Sequence, residues 1–318
     1  MASSSSSKNL WSTEECLDEW NKNPQTIQFV DASWRLGGER DGRKEFEDGP
    51  RLPGAFFWDT GDMSTSGELF PEQNPLNLNF VFPPKWLVGA ALEKMGVKAT
   101  TTTLVVYGTE GTMFAPRAWY LLKQYYSGPV KILTGSLQDW MSKEGPVDET
   151  PLEGSTKARD LMASRPNNEE EEEQHRLVSP TAKDRLVDKE FVLEFLEAKK
   201  KGKQSVIIDC RGGGFANGHI PGSFLVPAPS LTLPEDRLKL KPKNELKSIL
   251  RDALGEDTLQ KMMTDPPVLT CMAAVSLCTL ALALDELGYP EPWVYDGSWS
   301  EWGNDPSTPK ETGDANAA

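Results

Sequence analysis

Four landmarks occur twice in this chain, in the same order, and this duplication limits the fold more than any other feature. Val206-Ile207-Ile208-Asp209-Cys210-Arg211 echoes Val30-Asp31-Ala32-Ser33, and His219-Ile220-Pro221-Gly222-Ser223-Phe224 echoes Arg51-Leu52-Pro53-Gly54-Ala55-Phe56. Val268 to Cys271 echoes Val105 to Gly108, and Val294-Tyr295-Asp296-Gly297-Ser298-Trp299-Ser300-Glu301-Trp302 echoes Ile132-Leu133-Thr134-Gly135-Ser136-Leu137-Gln138-Asp139-Trp140. A recurring set of this length means a tandem architecture. Within a copy, short apolar runs alternate with helix-spaced segments. The first copy reads as a strand at 27–33, a turn into an extended piece at 52–57, a helix over 84–95 stopped by Gly96, a strand at 103–107, a loop at 108–114, a helix at 115–126 and a strand at 130–133. A short helix over 13–20 precedes them, with Thr13 as its cap and acids in its first turn. Alternating strands and helices predict α/β domains, each with a central parallel sheet and helices on both faces.

A chain of 318 residues is long enough for two such domains. The expected division is a disordered tail at 1–7, an N-terminal domain at 8–145, an acidic linker at 146–180, a C-terminal domain at 181–310 and a second tail at 311–318. The linker is polar from Gly145 and carries five consecutive glutamates, Glu169 to Glu173, a like-charge block that reads as solvated chain. The stretch after Asn304, with Pro306, Pro309 and Gly313, also reads as tail.

Charge and composition exclude several kinds of function. The formal net charge is −14, which disfavours binding to nucleic acid or to an anionic membrane surface. No apolar run approaches the roughly 18 residues a membrane span needs. The N-terminal Ser tract has neither an apolar signal core nor an Arg-rich amphipathic pattern, so a cytoplasmic protein is expected, with the mitochondrion as the alternative. Cys16, Cys210, Cys271 and Cys278 form no C-x-x-C pair, and the chain has two histidines, His175 and His219. Neither a disulfide framework, a zinc site nor a Ser-His-Asp triad is indicated.

The segment that points to chemistry is Val268-Leu269-Thr270-Cys271-Met272-Ala273-Ala274-Val275-Ser276, followed by Leu277, Leu280, Ala281, Leu284 and Leu287 at helical spacing. It reads as a buried strand, a tight loop and a helix, with the thiol at the strand's C-terminal edge, where open α/β sheets bind ligands. Loop N–H groups and the helix N-terminus favour a thiolate or a bound anion at such a place. The alternative is a core cysteine, since Cys is among the most buried residue types.

Taken together, Asp209-Cys210-Arg211 after a strand, Gly218-His219-Ile220-Pro221-Gly222, the strand-end cysteine loop and Tyr295-Asp296-Gly297-Ser298-Trp299-Ser300-Glu301-Trp302 resemble the rhodanese-type sulfurtransferases. Asp31-Ala32-Ser33-Trp34 and Ala115-Pro116-Arg117-Ala118-Trp119 are similar to the two-domain thiosulfate and 3-mercaptopyruvate sulfurtransferases, and the resemblance runs from about Ser12 to Pro309.

The resemblance implies tandem rhodanese-like domains, the first non-catalytic and the second carrying the nucleophile Cys271, whose counterpart in the first copy is Gly108. It implies a persulfide mechanism without metal or organic cofactor, a small-molecule sulfur donor, and an acceptor such as thioredoxin, another thiol or cyanide; a monomer is expected. The implied substrate-binding set is Arg211, which would hold a donor carboxylate, the loop Met272, Ala273, Ala274, Val275 and Ser276, and Asp59 from the first copy. The alternative for Arg211 is a structural ion pair with a nearby acid. His219 is read as stabilising its turn, Cys278 as core packing, and Trp140, Trp299 and Trp302 as packing the ends of the domains.

The loop also departs from the family. Mercaptopyruvate enzymes typically read Cys-Gly-Ser-Gly-Val-Thr, so both glycines and the serine are replaced here, at Met272, Ala274 and Ala273. The missing glycines matter if those positions need positive φ. No basic residue follows Cys271, which leans toward 3-mercaptopyruvate over thiosulfate. A second family arginine and a first-domain histidine have no match. Two further readings compete: a catalytically degenerate scaffold that binds a partner or a small anion, and a cysteine phosphatase. The second is set aside because Leu277, not arginine, stands six positions after Cys271.

Overall fold

The computed structural model describes residues 9–35, 37, 39–109, 114–167, 177–178, 185–200, 206–215 and 217–313. The expected N-terminal tail, the five glutamates and the end of the chain after Gly313 lie outside these residues. The chain forms two units, Met1–Ser64 with Pro83–Ala182, and Thr65–Phe82 with Lys183–Ala318. The second unit therefore includes a segment from within the first copy. The backbone N–H of Phe82 donates to the Asp296 carboxylate at 3.0 Å, and the Thr65 hydroxyl donates to Phe82 O at 2.6 Å.

The first unit holds β1 (Leu10–Trp11), β2 (Ile27–Asp31), β3 (Phe56–Phe57), β4 (Thr103–Tyr107) and β5 (Val130–Leu133), all parallel, in the order β1-β5-β4-β2-β3. The second holds β6 (Leu186–Val187), β7 (Ile207–Asp209), β8 (Phe224–Leu225), β11 (Val268–Thr270) and β12 (Trp293–Tyr295), again parallel, in the order β6-β12-β11-β7-β8. Strand for strand, the two orders are the same. A small antiparallel ribbon, β9 (Thr232–Leu233) with β10 (Asp236–Leu240), is added in the second unit. Consecutive residues are buried along β4, β7 and β11, as expected where helices cover both faces.

Helix boundaries follow local chemistry. The first helix is Thr13–Lys22, and its cap is Ser12 rather than Thr13: Ser12 and Glu15 form a reciprocal capping box, while the Thr13 hydroxyl donates to Asp139. Lys85–Lys94 ends at Met95 and Gly96, and Ala115–Tyr125 follows the loop whose residues 110–113 lie outside the description. Leu277–Leu287 closes on Gly288 in the left-handed conformation.

The two cores exchange bulk. In the first unit Tyr107 packs with Leu133, Leu137 and Trp140. At the corresponding places the second unit has Thr270, Tyr295, Trp299 and Trp302, the last three sharing one cluster with Ile220 and Val268. A smaller residue on the central strand is thus balanced by larger ones on the neighbouring strand and helix, as interiors packed to constant density require.

Two expected boundaries move. Arg51 and Asp148 form an antiparallel bridge and Gly54 N donates to the Asp148 carboxylate at 2.8 Å; His219 and Glu311 do the same, with Gly222 N on the Glu311 carboxylate at 2.8 Å. Both copies thus bring the chain beyond the last helix back to the Pro-Gly turn, a fifth repeated landmark. The stretch read as linker is ordered through 148–165: Leu152 N donates to Glu47 O, Ser155 N donates to the Glu47 carboxylate at 2.7 Å, and Ala158–Leu161 is helical. The stretch after Asn304 is ordered as well, with Trp302 Nε1 donating to Pro309 O at 2.8 Å and Thr308 buried. In both places prolines and charges suggested loose chain, but side chains from the preceding domain supply the hydrogen-bond partners.

Candidate active site

Strand β11 delivers Cys271 to the C-terminal edge of the second sheet. Its residue is 1 % exposed, while Met272 beside it is 51 % exposed, so the loop lies at the surface with the thiol tucked beneath it. Two of the loop's carbonyls are held by the helix Ser298–Trp302. Cys271 O accepts from Trp299 N at 3.0 Å, and Met272 O accepts from Ser300 N at 2.9 Å and from the Ser300 hydroxyl at 2.7 Å. A trans peptide points the next residue's N–H away from such a carbonyl. The N–H groups of Met272 and Ala273 are thereby directed away from that helix.

Ser298 organises the loop's interior. Its hydroxyl accepts from Cys271 N at 3.3 Å and Ala274 N at 3.2 Å, and donates to Tyr295 O at 2.8 Å. Among the described residues no protein acceptor takes the N–H groups of Met272, Ala273, Val275 or Ser276. Four free donors within five residues of a strand-end thiol, followed at once by a helix N-terminus, form a nest suited to an anion.

The glycine question resolves differently at its two positions. Ala274 has φ +50°, so the second family glycine position is left-handed in this chain, and alanine occupies it. Met272 is not among the residues with positive φ, so glycine is not required there. Cys278 is fully buried and its thiol donates to Ala274 O at 3.6 Å, which fits the packing role expected for it.

Arg211 is linked to this loop through Trp299 and is heavily committed. Its Nε and Nη2 grip the Asp209 carboxylate, with Nη2–Oδ2 at 2.7 Å, and Nη2 also donates to Gly218 O at 2.7 Å. The guanidinium stacks 4.4 Å from the ring centroid of Trp299, the residue that holds Cys271 O. The two-nitrogen edge suited to a carboxylate is thus used by Asp209, and Nη1 remains without a partner among the described residues. Asp59 belongs to the first unit, where one carboxylate oxygen accepts from Gly61 N and Asp62 N and the other pairs with Arg43 at 3.1 Å. His219 holds its turn, with Nδ1 near Ile220 O and the Ser223 hydroxyl and its ring stacked 3.8 Å from Phe215.

The structure joins Cys271 to the loop 272–276 and links Arg211 to them through Trp299. It adds Ser298, which sequence reasoning passed over because a Gly-Ser pair before a helix reads as an ordinary cap. Asp296 and Glu301 on the same edge help line a cavity of about 370 Å³ with Asn74, Leu78 and Asp188; Cys271 is not in its lining.

The Rhodanese-like domain family matches residues 192–305. Over the longer chain, the thiosulfate sulfurtransferase of Rattus norvegicus is 28% identical across 291 residues, covering 87% of this chain and 85% of that protein. The 3-mercaptopyruvate sulfurtransferase of Escherichia coli (strain K12) is 28% identical across 293 residues, covering 90% and 92%. Among solved structures, Tum1 of Saccharomyces cerevisiae superposes with a TM-score of 0.73 at 24% identity, covering 96% of this chain and 98% of that one. The 3-mercaptopyruvate sulfurtransferase SseA of Escherichia coli gives 0.66 at 24% identity, covering 92% and 99%.

Proposed function

Because the chain belongs to the two-domain rhodanese-like sulfurtransferases, we propose that it moves the sulfur of 3-mercaptopyruvate, held as the sulfane sulfur of a Cys271 persulfide, to a thiol acceptor. Thiosulfate and cyanide are the alternative donor and acceptor. The observation that carries the reading is the nest of free loop amides immediately after the strand-end thiol.

The Cys271 thiolate attacks the donor's sulfur, the carbon–sulfur bond breaks, and the electron pair leaves on carbon as the enolate of pyruvate, which then takes a proton. The terminal sulfur left on Cys271 carries negative charge, and the N–H groups of Met272, Ala273, Val275 and Ser276 offer preorganised stabilisation for it. An acceptor thiolate attacks that outer sulfur and frees the Cys271 thiolate. Arg211 contributes through Nη1, one hydrogen bond to a donor carboxylate, while Asp209 fixes the guanidinium. A loop without basic residues favours the mono-carboxylate donor over the thiosulfate dianion.

The test is intact-mass measurement after incubation with 3-mercaptopyruvate, and separately with thiosulfate, on wild type and Cys271→Ser. A gain of about 32 Da, one sulfur atom, that is absent from the variant supports the persulfide, and the faster donor names the subclass. Folded wild-type protein that gains no mass with either donor leaves the degenerate scaffold as the better account.

A further inference from the structure

Cys210 is a buried thiol that the proposed mechanism leaves unused, and it adjoins the nucleophile. Strands β7 and β11 run in parallel register, Ile208 opposite Leu269 and Asp209 opposite Thr270, and Cys210 N donates to Thr270 O at 2.8 Å. The residue that follows each strand is a cysteine. Neighbouring parallel strands lie about 4.8 Å apart with register partners on the same face. That is well inside the roughly 7 Å limit between Cα atoms for a disulfide. Cys210 and Cys271 are both buried and both free. Burial pushes the Cys210 thiol well above its usual range, and Cys271, Asp209 and Cys278 each add to the push. The internal repeat supplies a control. In the first copy Asp31 stands opposite Tyr107, and the next positions are Ala32 and Gly108. The copy without the nucleophile lacks the second thiol as well.

We propose that Cys210 is a second reacting thiol of this site: it attacks Cys271 Sγ of the persulfide, closes a Cys210–Cys271 disulfide and expels the outer sulfur as hydrosulfide. The step rests on the persulfide reading above. The Sγ–Sγ bond between the cysteines forms as the persulfide bond breaks, and the proton of Cys210 leaves on the sulfide. The sulfane sulfur is reduced by two electrons, and the thiol pair supplies them. An external dithiol then reduces the disulfide and is itself oxidised. The persulfide thus has two exits, transfer of sulfane sulfur to an outside acceptor or discharge as sulfide. Because burial holds Cys210 protonated, the inner exit is the slower one and operates when no acceptor arrives.

The experiment uses the full chain, reduced and then freed of reductant, given 3-mercaptopyruvate without a thiol acceptor under exclusion of air. The expected course is a species heavier by about 32 Da that decays to one lighter by about 2 Da, with about one equivalent of sulfide and a Cys210–Cys271 crosslink in peptide maps. In Cys210→Ala, shown to be folded by near-ultraviolet circular dichroism, the heavier species should persist at least about tenfold longer. Diamide, which oxidises dithiols without donating sulfur, should give the same crosslink in wild type. A heavier species as stable in wild type as in the variant, or a crosslink to Cys278 instead, overturns the inference and leaves the persulfide reading intact. A donor that produces neither species, while diamide still closes the pair, overturns both the persulfide reading and the step built on it.

Discussion

The Ser298 hydroxyl oxygen stands 3.3 Å from the amide nitrogen of Cys271, and the same oxygen accepts from Ala274 N. One side chain from the start of the helix Ser298–Trp302 therefore fixes both the start and the tight bend of the loop after β11. The residue is fully buried and has φ +51°. Its counterpart Ser136 has φ −77° and caps its helix by accepting from Asp139 N. The two copies keep the serine and put it to different use: a helix cap in the copy with Gly108, a loop anchor in the copy with Cys271.

Ser298→Ala should leave two buried N–H groups without an acceptor. At about 1–3 kcal/mol for each such group, a loss of roughly 2–6 kcal/mol in stability is expected. Sulfur uptake at Cys271 should slow by at least about tenfold, since the loop amides proposed to stabilise a persulfide are positioned by the same bend. Ser298→Gly accommodates the positive φ but lacks the hydroxyl, so it should not rescue uptake. The two variants are compared by urea unfolding and by mass-detected sulfur uptake; normal uptake in both would remove Ser298 from the positioning of the loop.

At Ala274 two effects nearly cancel. Left-handed backbone costs an L-residue about 1–2 kcal/mol, which Ala274→Gly relieves, while deleting the buried methyl forfeits about 0.8 kcal/mol. The net change should therefore lie within about 1 kcal/mol, with sulfur uptake preserved. Ala274→Val places a β-branched side chain at φ +50° and should cost at least about 2 kcal/mol and abolish uptake. Met272→Gly should bring no gain, because φ there is not positive. Thermal unfolding and uptake of the three variants separate these outcomes.

Much of the fold was legible because it rests on period and repetition. Val268-Leu269-Thr270 reads as a buried strand without tertiary information, and doubling of the landmarks gave the parallel sheets. Cys271 was legible for the same reason, as a polarisable residue at the end of such a strand. What could not be read depends on partners distant in sequence. Asp148 and Glu311 sit in stretches whose composition says tail or linker; their role exists only because Gly54 and Gly222 turn an N–H toward them. Arg211 carried two readings, and the Asp209 carboxylate on its Nε–Nη2 edge favours the ion pair. Ser298 was invisible because its function lies in a positive φ.

Arg43 ties the ordered part of the presumed linker to the first unit. Its Nη1 donates to the Ser155 hydroxyl at 2.7 Å and to Thr156 O at 3.2 Å, and its Nη2 reaches Asp59 and Asp62, both at 3.1 Å. Asp62 in turn accepts from Ala158 N at 2.8 Å, the first residue of the short helix. Arg43→Met removes the shared hub and should open this strap locally by about 1–3 kcal/mol, without unfolding the sheet. Tryptic cleavage after Lys157 and Arg159 should then accelerate by about tenfold or more, a factor of ten corresponding to about 1.4 kcal/mol. An unchanged cleavage rate would mean the strap is held elsewhere.

The Asp209–Arg211 pair makes a prediction whose sign depends on pH. Burial lifts the Asp209 carboxyl above the usual carboxylate range, and Arg211 pulls it back down, with His219 adding to the pull. Arg211→Met removes the main opposing charge while the acid stays buried, so the folded-state pKa rises further and the unfolded value stays near 3.9. Below about pH 4 the carboxyl is neutral in both states, and the variant should lose only the packing and hydrogen bonds of the guanidinium. As pH climbs through the raised folded-state pKa, the unfolded chain ionises more readily than the folded one, and stability falls. The gap between wild type and variant should thus widen from pH 4 to pH 8, reaching about 3–5 kcal/mol, the cost typical of a buried charge stripped of its partner. In the double variant Asp209→Asn with Arg211→Met the gap should not widen with pH. Urea midpoints from pH 4 to pH 8 measure all three proteins; a gap for Arg211→Met that does not change with pH would mean that Asp209 is not charged in the folded protein, and that Arg211 is held by Gly218 O and Trp299 instead.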